Sequence, residues 1–184
     1  MRGSRGTKNI MKRETVEAAE KSLGQIGTAL EDIGNKIFKQ GMLPKDALGL
    51  SDAIIEGIYA QAYQLYNTGK YTEASHLFRM LVMLNTTEVK YILGLAACLH
   101  MLKEYQNAVQ TYAMCAILDP ENSVPHYHSS DCYVQMKDYL SAIISLDLAV
   151  QRAGDKPEYA KLKERASMSI ESLKKQITNP QGES

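Results

Sequence analysis

Apolar residues along this chain follow two different rhythms. Val16, Ala19, Leu23, Ile26, Leu30, Ile33 and Ile37 alternate three and four residues apart. That is the narrow seam of a coiled coil, where a globular surface helix would show a broader stripe. The spacing predicts a helical arm over residues 14–40, ended by Gly41 and Pro44, because glycine suits a helix C-terminus and proline cannot continue a helix. Gly24, Gly27 and Gly34 fall inside it, and each costs ~1 kcal/mol relative to alanine. An arm of this kind is poorly stable alone and needs cover. A second copy of the same arm is the cheapest cover, which makes Leu23, Ile26, Leu30, Ile33 and Ile37 candidate dimerisation residues. Folding back onto its own chain is the alternative.

The second rhythm has a period of 34 residues. Tyr71, Tyr105 and Tyr139 recur at that interval, as do Ala74, Ala108 and Ala142, with Phe78, Tyr112 and Leu146 four places after each alanine. This is the second half of the tetratricopeptide pattern, three times over. The first half is best kept in the middle unit as Ile92, Leu95, Ala96 and Leu99, followed at its end by Asp119-Pro120. The first unit offers Ile58, Gln61, Ala62 and Leu65, and the third His126, Ser129, Ser130 and Tyr133, so the third packs less apolar surface. Small residues at the alanine places let paired helices approach closely.

The fold class is therefore all-α: a solenoid of three helix-pair repeats at 55–88, 89–122 and 123–156 within a region spanning 41–156. A stack of this kind needs a cap at its end. Leu162, Ala166, Ile170, Leu173 and Ile177 recur at helical spacing after Pro157, giving an amphipathic capping helix over 157–178, with a tail at 179–184. Leu43 to Leu50 form a short connection, and Ser51 is placed to cap the first repeat helix.

Composition narrows the partners. Twenty-one basic residues balance 21 acidic ones, so net charge gives no case for nucleic acid or a membrane surface. The balance is uneven: residues 1–13 carry Arg2, Arg5, Lys8, Lys12 and Arg13 with no acid, leaving 16 basic against 21 acidic beyond them. Such a leader reads as disordered, with phosphate contact as the other option. It lacks the apolar stretch of a secretory signal, and no segment reaches the ~20 apolar residues of a membrane span. A soluble, intracellular protein is expected. Cys98, Cys115 and Cys132 show neither paired nor zinc-type spacing, which fits a reducing compartment.

In stacked helix pairs the first helix of each unit lines the concave side. The groove-facing places fall on Glu56, Tyr59, Tyr63 and Tyr66, on Lys90, Leu93, Ala97 and His100, and on Val124, Tyr127, Asp131 and Val134. Tyr59, Tyr63, Tyr66, Lys90, Leu93, Ala97, His100, Tyr127 and Asp131 are the candidate peptide-binding residues. Three tyrosines at i, i+4 and i+7 share one helical face, and tyrosine brings area, few rotatable bonds and a polar tip. Cover by the arm or a neighbouring repeat is the competing account of these rings. Three such anchors yield roughly 5–9 kcal/mol, of which ordering a flexible ligand removes ~2–5. The remainder is below the ~8 kcal/mol of a micromolar complex, so a durable complex wraps more of its client.

Chemistry is poorly represented. His126, His128, Asp131 and Cys132 cluster in sequence, but histidines two apart on a helix point in different directions, so no metal site is expected. Cys98 and Cys132 hold equivalent repeat places suited to small buried residues, and neither a phosphate-binding glycine loop nor a nucleophile elbow is present. No cofactor and no enzymatic activity are expected.

The stretch from Gly41 to about Ala149 resembles the class II chaperones of bacterial type III secretion systems, the SycD/LcrH type that guards translocator subunits. The residues that carry this are Leu50-Ser51 with Glu56 and Ile58-Tyr59, Ala62-Tyr63, Leu65-Tyr66-Asn67, Gly69-Lys70-Tyr71, Tyr91 through Cys98, and His128 with Asp131-Cys132. The resemblance implies a cytoplasmic chaperone that holds a short extended segment of a hydrophobic translocator. It also implies client contact at Tyr59, Tyr63 and Tyr66, a homodimer through the N-terminal helix and, as in some members, help to a transcription regulator. The rival is a general adaptor that clamps acidic tails with a lysine and asparagines. This chain has Tyr59, Tyr63 and Ala97 at those places, with Lys90 as the cation.

Overall fold

The computed structural model describes the backbone of residues 4–178 and side chains from Glu17 onward. The predicted tail, 179–184, lies outside the described residues. Compact packing divides the chain into two units, residues 1–51 and 52–184.

In the first unit, α1 runs without a break over Ser4–Phe38. Helix thus begins well inside the basic leader, where disorder was expected. No proline interrupts residues 4–38, and arginine, lysine and methionine are good helix formers, so nothing in the sequence stops the helix at residue 14. Leu23, Ile26 and Leu30 of the seam are 67%, 55% and 64% exposed, while Ile33 and Ile37 are half-buried. Gly41 adopts φ +68°, and Pro44 opens the short α2, Pro44–Ala47, where its missing N–H costs nothing.

The second unit is an unbroken series of antiparallel helices: α3 (Asp52–Asn67), α4 (Tyr71–Leu84), α5 (Val89–Met101), α6 (Tyr105–Leu118), α7 (Val124–Gln135), α8 (Tyr139–Ala153) and α9 (Ala160–Thr178). Each packs on the next, and α3 also touches α5 as α7 touches α9. The capping helix therefore takes the place that a fourth unit's first helix would occupy, burying Ala166, Ile170 and Leu173 against Ala142 and Leu146. Pro157 opens a single 3-10 turn ahead of it.

The repeat period is a packing period. Ala74, Ala108 and Ala142 have no exposed surface, and Phe78, Tyr112 and Leu146 are within 2% of none. The second helix of every unit begins on its periodic tyrosine, Tyr71, Tyr105 or Tyr139. The buried hydroxyls of α7 are bonded within the helix: that of Ser129 donates to the Pro125 carbonyl at 2.9 Å and that of Ser130 to the Tyr127 carbonyl at 2.6 Å. Buried hydroxyls so bonded escape most of the cost of desolvation.

The turn inside each unit repeats as well. The N–H of Lys70, Glu104 and Asp138 donates back to Leu65, Leu99 and Tyr133 at 2.9 Å, a Schellman closure that needs a left-handed residue one place earlier. Gly69 fills that place at φ +77°, but Lys103 and Lys137 fill it at +63° and +61°, where a Cβ is unfavourable. Replacing either lysine by glycine should add about 0.5–1 kcal/mol. The gains should be nearly additive at these separate turns, and each should raise the thermal midpoint seen by circular dichroism by about 1–4 °C.

Gly94 on α5 stands apart from the other helical glycines, because a Cβ there would collide with the Phe78 ring of the preceding unit, whereas one at Gly57 would meet nothing. Gly57→Ala should therefore gain up to ~1 kcal/mol. Gly94→Ala should lose about 1–3 kcal/mol through overpacking. Urea unfolding would show that loss disappearing in a Phe78→Ala background, the signature of a direct contact.

Candidate peptide-binding groove

The tyrosines of α3 and the first turns of α5 meet in an apolar cleft of about 200 Å³, lined by Tyr59, Tyr63, Tyr66, Phe78, Lys90, Leu93, Gly94 and Ala97. Its size suits one or two side chains, below the ~300–1,000 Å³ of drug-sized ligand sites. Tyr59 forms one wall. Its ring lies 6.3 Å from that of Tyr63 in a stacked arrangement, 6.1 Å from Phe78 edge-on and 5.7 Å from Tyr91. Tyr66 sets its ring 5.4 Å from Tyr71, and burial, more than its neighbours Tyr71 and Cys98, raises the pKa of its phenol. Tyr63 remains 54% exposed, so the aromatic face is open to a ligand.

Six of the nine predicted residues share this cleft. Lys90 stands at its edge, where its ammonium bonds the Glu56 carboxylate at 2.7 Å and lies 4.8 Å from the centre of the Tyr59 ring. That hydrogen bond raises the lysine's pKa. The cation of the groove is thus already paired, and its ammonium also lies over the Tyr59 ring.

His100, Tyr127 and Asp131 gather one unit further along. The His100 ring is 6.0 Å from Tyr105 and 6.5 Å from Tyr112. His128 stacks on Tyr112 at 5.8 Å, with Tyr127 edge-on to it at 5.6 Å. Its Nδ1 lies 4.0 Å from the Asp131 carboxylate. Burial depresses the His128 pKa and raises that of Asp131, against the opposing effect of each on the other. His126, by contrast, lines a separate cleft with Val109, Ile117 and Ile144, so the two histidines do point different ways.

Phe78 and Gly94 belong to the cleft without having been predicted. Phe78 reads in sequence as a consensus core residue, and it is one; its ring also forms the floor. The available signal was the 34-residue comparison of Gly94 with Ala60 and His128, which shows where the period tolerates a missing side chain. The cysteines are buried, and burial pushes each thiol up to about 12. Thiols of this kind are poor nucleophiles at neutral pH.

Among the described residues no helix is long and apolar enough to cross a membrane. The tetratricopeptide repeat model matches residues 55–85 and 89–122. Over 125 residues the chain is 31% identical to the low calcium response locus protein H of Yersinia pseudotuberculosis, an alignment covering 68% of this chain and 74% of that protein. Among solved structures it is similar to PcrH of Pseudomonas aeruginosa in complex with the chaperone binding region of PopD, with TM-score 0.68, 30% identity and coverage of 70% of this chain and 97% of that one. It is likewise similar to the Yersinia enterocolitica type III secretion chaperone SycD bound to a peptide of the translocator YopD, with TM-score 0.65, 30% identity and 67% and 95% coverage. The chain belongs to this family of tetratricopeptide-repeat type III secretion chaperones.

Proposed function

We propose that this protein is a cytoplasmic chaperone that holds an extended apolar segment of a type III secretion translocator in its groove and keeps that client soluble until export. The observation that carries the reading is the open aromatic cleft of Tyr59, Tyr63 and Phe78 beside Gly94, a shape and polarity suited to a client's apolar side chain. Work of this kind is done by binding, without catalysis. A clamp for acidic tails is disfavoured, because the ammonium of Lys90 is already held by Glu56 and the surrounding walls are apolar. Replacing Tyr59 and Tyr63 together by alanine should remove roughly 3–6 kcal/mol of burial, a loss of more than a hundredfold in affinity. Co-purification of the translocator should disappear while helicity and oligomeric mass stay constant. An undiminished client would end the groove assignment.

The same proposal assigns α1 to self-association. Leu23, Ile26 and Leu30 present an apolar seam to solvent, and a matching helix from a second copy is the partner whose spacing fits it. Removing residues 1–40 should convert a dimer to a monomer of the shortened chain by light scattering, and a dimer of the shortened chain would exclude this role.

A further inference from the structure

The positions that line the cleft between the first two units have counterparts one period further on, and the two sets differ in chemistry. Shifting by 34 residues carries Phe78 to Tyr112, Gly94 to His128, Tyr66 to His100 and Ala97 to Asp131. At the first junction a glycine admits the Phe78 ring and leaves an apolar floor. At the second, the His128 ring lies flat on Tyr112, and the carboxylate of Asp131 stands where the first has the methyl group of Ala97.

That carboxylate is poorly neutralised. Among the described residues Asp131 has no lysine or arginine partner; its nearest ionisable contact is His128, at 4.0 Å, with His100 acting on it as well. Burial holds the His128 pKa below its ordinary value, which favours the neutral imidazole. The same surroundings disfavour the bare carboxylate, raising the Asp131 pKa. A carboxylate so placed gains from an incoming cationic donor. Lysine and arginine also bring a methylene stem that can lie along apolar or aromatic surface, which Tyr127 and His128 supply, their rings 5.6 Å apart edge to face.

We propose that this second junction is a subsite for a lysine or arginine side chain of the bound segment, donating to Asp131. It rests on the groove reading above and names which segments the groove prefers: an apolar anchor in the Tyr59 cleft with a basic residue a fixed distance away. Neighbouring helices pack ~8–10 Å apart and an extended chain advances ~3.3 Å per residue, so the two positions are about three residues apart.

The test is selection from a displayed library of randomised nine-residue peptides on the full-length protein, alongside Asp131→Asn, Asp131→Lys and the Tyr59→Ala, Tyr63→Ala double variant. The expected consensus is a large apolar residue with lysine or arginine enriched about fivefold three places from it, the strength of a half-exposed pair. The basic preference should vanish with Asp131→Asn and turn to aspartate or glutamate with Asp131→Lys, a reversal that a merely structural role would not give. An apolar consensus with no basic preference, or one unaffected at Asp131, overturns this inference and leaves the groove intact. Failure to select any peptide, or a consensus indifferent to the tyrosine variant, overturns the groove reading itself.

Discussion

The second unit depends on one steric constraint: where a bulky ring from one helix must reach the next, the facing residue has to be small. Ala62, Ala74, Ala96, Ala108, Ala142 and Ser130 all lie at or within 1% of complete burial. Helices meeting at such points approach closely, and a stack whose elements contact only near neighbours is held together by those local approaches. Gly94 is the limiting case, where even a methyl group has no room beside Phe78. The same absence of a side chain that allows the packing leaves the cleft its depth.

Repetition makes the departures from it informative. The inner turns close with the same hydrogen bonds in all three units, although two of them place a lysine where only glycine is relaxed. The groove, by contrast, changes character along its length. A paired cation stands at one end and a carboxylate without a lysine or arginine stands further along, while the scaffold beneath them is nearly invariant. Packing positions are constrained by the period, whereas groove positions are freed from it and carry the chemical differences.

Legibility in the sequence follows the same division. The helix pairs were readable because period-bearing residues such as Tyr105 and Ala108 are both spaced and buried by one rule. The helix over Ser4 to Arg13 was not readable as such, since charge density suggested disorder while the residues themselves form helix well. The groove faces of α3 and α5 followed from helical geometry, and six of the nine predicted residues do line one cleft. Phe78 was assigned to the core alone because periodicity reports burial; its second role arises from a contact across units, with a residue 16 places away that contributes no side chain. The low apolarity of α7 was read as less apolar surface packed, and what its buried serines do instead, bonding within their own helix, is an arrangement that composition does not reveal.

Groove size sets how such a protein can hold a client. A cleft of about 200 Å³ takes one or two side chains, and burying one large apolar side chain yields ~1.5–3 kcal/mol. A micromolar complex needs ~8 kcal/mol, after ~2–5 have gone into ordering a flexible segment. No single junction reaches that figure, so retention must be the sum of several modest contacts spread along the stack. Each contact is weak enough to be undone separately, and peeling the segment off one junction at a time meets only a fraction of the total barrier. A binding surface divided among repeated units is therefore suited to a client that has to be held firmly and later surrendered intact.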